Sequence, residues 1–117
     1  MIIEFIPIKK EHLEQMIKWR NSEEIKKYMY NDKDISLEEQ HAWFRAMQAK
    51  LNEKHWIIFC DSNPVGVVNL KCINIINKTA EWAFYVAKKE AREKGAGIIV
   101  EYKILEYAFQ DLGLYKL

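Results

Sequence analysis

Arg92-Glu93-Lys94-Gly95-Ala96-Gly97 is the stretch whose reading decides the fold. Before it, Thr79 to Ala87 reads as a strand; after it, Ile98 to Phe109 has the apolar period of a helix. Two glycines at a strand-to-helix junction let backbone N–H groups turn inward, and the helix start adds partial positive charge. Such a junction is a seat for a phosphate, although an ordinary glycine-containing loop has the same spelling. Lys88, Lys89, Arg92 and Lys94 add a local basic cluster, which also fits a solvated surface loop. The whole chain is nearly neutral, with 18 Lys plus Arg against 17 Asp plus Glu, and this argues against a bulk nucleic-acid binder.

Upstream, Ile2 to Ile6 alternates and predicts a strand stopped by Pro7. Lys10 to Asn21 predicts a helix with Leu13, Met16, Ile17 and Arg20 on one face. Glu23 to Tyr28 begins a short helical turn, and Tyr28-Met29-Tyr30 leads into a polar loop. Ser36 with Glu39 forms a capping box that opens a helix reaching about Leu51, its face carrying Leu37, His41, Phe44, Met47 and Leu51. Trp56 to Cys60, a turn at Asp61-Ser62-Asn63-Pro64, Val65 to Cys72 and Thr79 to Ala87 predict an antiparallel meander. Gly113 ends the last helix, and Leu114 to Leu117 starts a further extended segment.

The predicted order is β-α-α-β-β-β-α-β, an α+β mixed sheet in a single domain over residues 1–117, the last strand parallel to the one before the crossover helix. With 117 residues, half of them hydrophobic, the chain supports one modest core. No apolar run approaches the roughly 20 residues of a membrane span. Met1 leads straight into alternation without a basic, signal-like region, which predicts a cytoplasmic protein. In a hairpin turning at Ser62-Asn63, Cys60 and Cys72 lie on the order of 20 Å apart. They are therefore expected as two buried, unbonded thiols. His12, His41, His55 and the cysteines show no metal-ligand spacing, so no metal is expected.

Glu81, Ala83 and Tyr85 share one strand face, and Trp82 and Phe84 the other. A carboxylate and a phenol on one face suit proton transfer from an amine, directly or through water, so Glu81 and Tyr85 are the catalytic candidates. Glu81 equally fits a solvent-facing or ion-paired residue, and Tyr85 a core residue with a satisfied hydroxyl. Arg20 fits either a cation snorkelling from the last helical turn or a grip on a phosphate or carboxylate. His41 fits a core histidine or a ligand-binding one.

The chain resembles one branch of the GNAT N-acetyltransferases. The likeness rests on Arg92-x-x-Gly95-x-Gly97 together with Lys18-Trp19-Arg20-Asn21, Tyr28-Met29-Tyr30, Ile35-Ser36-Leu37-Glu38-Glu39 with Trp43-Phe44, Pro64-Val65-Gly66-Val67-Val68-Asn69-Leu70 and Ala80 to Tyr85, in that order. This branch includes ribosomal-protein N-terminal acetyltransferases and the enzymes acting on UDP-linked 4-amino-4,6-dideoxy sugars in pseudaminic acid synthesis. The resemblance implies a GNAT-like fold that uses acetyl-CoA as cosubstrate. It implies that Arg92, Lys94, Gly95, Ala96 and Gly97 bind the pyrophosphate, and that backbone groups of Phe84, Tyr85, Val86 and Ala87 face the thioester and its arm. Arg20, Met29, Tyr30, His41, Phe44 and Tyr85 are then expected to line a UDP-amino-sugar pocket, His41 standing one position later than the family's usual histidine, where this chain has Gln40. A ribosomal-protein N-terminus is the alternative acceptor. The family domain continues beyond Leu-Gly-Leu-Tyr-Lys-Leu, completing the strand begun at Leu114 and adding an Asn and a thiol-protonating Tyr. The resemblance thus predicts a C-terminally incomplete domain, truncated after the start of its fifth strand. An inactive, CoA-binding or self-associating fragment, with homo-oligomers formed through an exposed sheet edge, is the non-enzymatic expectation.

Overall fold

The computed structural model describes residues 1–27 and 34–114. Among the described residues four strands form one antiparallel sheet in the order β1-β2-β3-β4: Ile3–Pro7, Lys54–Cys60, Asn63–Asn74 and Thr79–Val86. Helices α1 (Leu13–Asn21), α2 (Glu23–Lys26) and α3 (Leu37–Gln48) lie between β1 and β2; α4 (Lys89–Glu93) and α5 (Ala96–Glu106) follow β4. The α+β order read from sequence is present as far as the crossover helix, with α4 as an addition: the polar run before Gly95 is a helix rather than loop. The proposed fifth strand falls mainly on residues 115–117, outside the described residues. No helix among the described residues is long and apolar enough to cross a membrane.

Strand periodicity separates two cores on opposite faces of the sheet. Ile58, Val68, Leu70, Ala80 and Val86 pack against Val100, Ile104 and Ala108 behind it. Ile57 and Val67 pack against Leu13, Met16, Trp19 and Phe44 in front. Neighbouring Ile57 and Ile58 are both buried because alternate side chains enter different layers. Between β2 and β3 the register shifts at Ile58/Phe59, with Phe59 opposite Pro64 and Ile58 opposite Gly66. Val65 is the extra residue of this bulge. Its carbonyl accepts from Ala87 N–H at 2.6 Å and Lys88 N–H at 3.3 Å, which fixes where β4 ends.

Ser36 and Glu39 form the expected capping box. The buried face of α3 is Gln40 and Phe44, not Leu37, His41 and Leu51: Leu37 is exposed, and Leu51 lies beyond the helix end. On α1 the third core residue is Trp19, while Ile17 is half-buried, because the helix turns its Leu13-Met16-Trp19 row to the sheet. Cys60 and Cys72 are unbonded, as expected. Cys72 is exposed rather than buried, because β3 is irregular between Lys71 and Asn74 and Cys72 takes a positive φ of 53°.

Candidate active site

The front face of the sheet carries a polar floor beside its apolar core. Ile57, Val67 and Tyr85 are aligned across β2, β3 and β4; the next row is His55, Asn69 and Ala83, followed by Lys71 and Glu81. Met16 and Arg20 of α1 and Gln40 and Trp43 of α3 rise beside this floor. Together they bound a cavity of about 420 Å³ that also includes Ile35, Glu39, His55, Asn69, Lys71 and Tyr85. Asn21 holds its rim: the side chain accepts from Ile35 N–H at 2.8 Å and donates to Ile35 C=O at 3.0 Å. This two-bond clamp ties the chain entering α3 to the end of α1.

Burial pushes the Tyr85 phenol up to about 12, against the opposing charge of Arg20. Tyr85 therefore stays protonated near neutral pH and can donate a hydrogen bond, but it is not a base there. Arg20 lines the cavity four residues after Met16, one turn along the same helix face. Glu39 is the acidic side chain among the lining residues, and its carboxylate is engaged at the helix cap with Ser36 Oγ at 3.0 Å and Ser36 N–H at 3.3 Å. These partners are neutral and leave the carboxylate charged, so the lining carries two cations, Arg20 and Lys71, against one anion.

The other expected residues take different places. Phe44 lies in the core below the cavity, and His41 is half-buried outside its lining; Gln40 occupies the place expected for His41. One helical position, about 100° of rotation, separates the two. Met29 and Tyr30 lie outside the described residues. Glu81 is exposed, about 13 Å along the strand from Tyr85 at roughly 3.3 Å per residue. It pairs across the strands with Lys71 and lies 3.8 Å from the Cys72 thiol. Sequence reasoning missed His55, Asn69, Lys71 and Trp43. The first three follow from the parity of Ile57 and Val67, a signal that becomes usable once the register is known.

The glycine junction lies at the end of β4. Gly95 caps α5 with a φ of 86°, a left-handed conformation, and no side chain caps the helix start. Gly97 has no Cβ where the Phe84 ring approaches; a Cβ there would be 3.6 Å away. Phe84 stacks on Trp82 at 5.9 Å between ring centroids. Arg92 donates through Nη1 to Val86 C=O at 2.8 Å and Ala87 C=O at 3.4 Å, bracing α4 against the strand. Lys94 is exposed and lines a separate cavity of about 440 Å³ with Lys88 and the β2–β3 turn. The open helix start and the left-handed glycine fit an anionic pyrophosphate. Among the described residues, β4 has a paired neighbour on one side only, which leaves its other edge for an extended ligand.

The family model described as an acetyltransferase (GNAT) domain matches residues 3–117. This chain belongs to the GNAT acetyltransferase family. The acetyltransferase PseH of Campylobacter jejuni (strain 81-176) is 29% identical over 108 residues, which cover 92% of this GNAT chain and 65% of PseH. The chain thus spans 65% of the length of the curated relatives it matches. Among solved GNAT-like structures, spermidine N-acetyltransferase from Vibrio cholerae in complex with CoA and spermine has a TM-score of 0.85 at 20% identity, over 97% of this chain and 67% of that one. A domain from Methanocaldococcus jannaschii has a TM-score of 0.79 at 20% identity, covering 97% of this chain and 73% of that one. At these identities the structural likeness establishes the GNAT fold and leaves the acceptor to be argued from the cavity.

The cavity wall also predicts an acid sensitivity. Burial holds the His55 imidazole below its ordinary range, and the Lys71 and Lys50 charges add to this against the favourable contact with Glu53. The His55 hydrogen bond lowers Glu53, outweighing its own burial, with help from Lys50. Both groups bind their protons at lower pH folded than unfolded. The His55 contribution is intact above its unfolded value of 6.5 and is lost as pH falls below it, whereas that of Glu53 is lost only below 4.5. Urea unfolding at about pH 7 and about pH 5 is expected to show the lower stability at pH 5, by a difference that shrinks in His55→Phe.

Proposed function

We propose that this GNAT domain provides the acetyl-CoA seat and acceptor cavity of an N-acetyltransferase acting on a primary amine of a nucleotide-linked (UDP) amino sugar. The observation that carries this reading is the charge balance of the cavity: Arg20 and Lys71 line it against the Glu39 carboxylate, which is turned to the cap of α3. A diphosphate gains from those cations, whereas a polyamine would be repelled by them. The 29% identity to PseH supports the same direction. The alternative acceptor, a ribosomal-protein N-terminus, brings no diphosphate to meet these cations and is less well matched.

Acetyl-CoA, when bound, supplies the acyl group as a thioester. In this reading Gly95, Ala96 and Gly97 hold its pyrophosphate through backbone N–H groups, with Arg92 and Lys94 supplying nearby positive charge. The backbone of Phe84 to Ala87 lies along its arm. Tyr85 donates its hydroxyl to the acceptor and orients it, the phenol being held protonated. The amine must lose a proton before attack. Glu81 is too far from Tyr85 to take it by contact within the same pose, and serves as a proton sink through water at the solvent end of the Lys71 row.

Isothermal titration tests both halves. Acetyl-CoA and UDP are each expected to bind the chain, UDP more weakly as salt rises. Arg20→Gln is expected to weaken UDP by about 100-fold, the loss of a charge-assisted contact to phosphate. Ordered binding of spermidine with no UDP binding would overturn the nucleotide-sugar reading.

A further inference from the structure

His55 is part of the cavity wall, and the reading above gives it no task. We infer that His55 is a specificity-determining hydrogen-bond acceptor for a hydroxyl or imide N–H of the bound acceptor, and that Glu53 is the positioning residue that sets its tautomer. This inference rests on the nucleotide reading of the cavity.

His55 is 7% exposed, and its Nε2 lies 2.9 Å from Glu53 Oε1. The other Glu53 oxygen meets Lys50 Nζ at 3.2 Å, which keeps the carboxylate ionised and acceptor-only. A neutral imidazole beside it carries its hydrogen on Nε2 and leaves the lone pair on Nδ1. The ring makes no other hydrogen bond among the described residues. Trp43 stands edge-on to it, with centroids 5.1 Å apart and planes at 89°, and so restrains the ring orientation. Asn69, its partner across β2 and β3, lines the same cavity.

Burial keeps His55 neutral. Glu53 favours its protonation by hydrogen bond and charge, and Lys71 on β3 and Lys50 after α3 add smaller opposing charges. Arg20 and Glu39 face the same cavity from α1 and α3. Arg20 and Lys71 only donate; Tyr85, kept protonated, can donate and accept, and the Asn69 and Gln40 amides can do either. A ligand with phosphate oxygens satisfies those donors, but its own N–H or O–H groups need an acceptor. His55 Nδ1 supplies one, backed by a carboxylate. A polar site built to pair such a donor also discriminates against ligands that lack it.

Nitrogen NMR of the isotopically labelled chain reads the tautomer directly. The Nε2–H form is expected in the wild type, and a mixture in Glu53→Gln, because an amide can donate or accept. By titration calorimetry, His55→Phe, which retains the ring packed against Trp43, is expected to bind UDP about tenfold more weakly, with a smaller loss in Glu53→Gln. UDP methylated at the uracil imide separates the two donor types. If it binds the wild type as weakly as UDP binds His55→Phe, the donor is the imide. If methylation leaves affinity unchanged, the donor is a hydroxyl. An Nδ1–H tautomer in the wild type, or equal UDP affinity in the wild type and Glu53→Gln, overturns the inference and leaves the nucleotide reading intact. Failure of UDP to bind the wild type overturns both.

Discussion

Gly95→Val is expected to abolish acetyl-CoA binding at accessible concentrations while lowering stability by only about 1–3 kcal/mol. The two effects have separate causes. Gly95 has a φ of 86°, a region in which a β-branched residue is strained. A Cβ there would meet nothing within 4 Å, so the substitution creates no clash inside the fold. Relief of the strain moves the start of α5 and the N–H groups that follow Gly95. An apolar branch would also stand where the phosphates must approach. Calorimetric titration with acetyl-CoA, paired with urea unfolding, measures both effects. Unchanged affinity in a folded Gly95→Val protein removes the junction from the proposed cofactor site.

The second large effect is expected at Gly66→Ala: a stability loss of about 3 kcal/mol or more, seen as a thermal midpoint lower by roughly 10 °C. A Cβ at Gly66 would overlap the Tyr85 carbonyl oxygen and lie 3.0 Å from Val86 Cα. Both neighbours are backbone, so no side-chain rotation relieves the contact. Gly66 pairs with Val86 on one side and Ile58 on the other, immediately after the Val65 bulge. Moving β4 away would also disturb the bonds from Ala87 and Lys88 N–H to Val65 C=O. Tyr85 and the end of β4 belong to the proposed acceptor and cofactor sites, so weakened binding of both ligands is expected alongside the lost stability. A Gly66→Ala protein with wild-type stability would show that β3 and β4 approach less closely than described.

Much of this molecule was legible because its signals are local. The capping box of Ser36 and Glu39, the left-handed glycine after α4 and the opposite faces of Glu81-Ala83-Tyr85 and Trp82-Phe84 each depend on residues a few positions apart. Arg20 on the Met16 side of α1 and Tyr85 on the front of β4 were legible in the same way. The choice between Gln40 and His41 was not. Both stand near the amphipathic boundary of α3, and the helix rotation is decided by packing of Phe44 and Gln40 against α1. Leu37 and Leu51 extended the apolar pattern past the surface that α1 and the sheet cover.

By itself, the sequence determined the α+β order, the meander, the unbonded cysteines and the glycine-capped junction, since dihedral preference and periodicity act over one turn or one strand. Only the tertiary structure decided that α4 intervenes before that junction, that Arg92 braces β4, and that His55, Asn69, Lys71, Arg20 and Tyr85 share one cavity. The cavity depends on register across three strands and on one inserted residue at Val65. A single-residue slip would send every side chain of a strand to the opposite face, and the free energy that prevents it comes from two cores formed by residues distant in the chain.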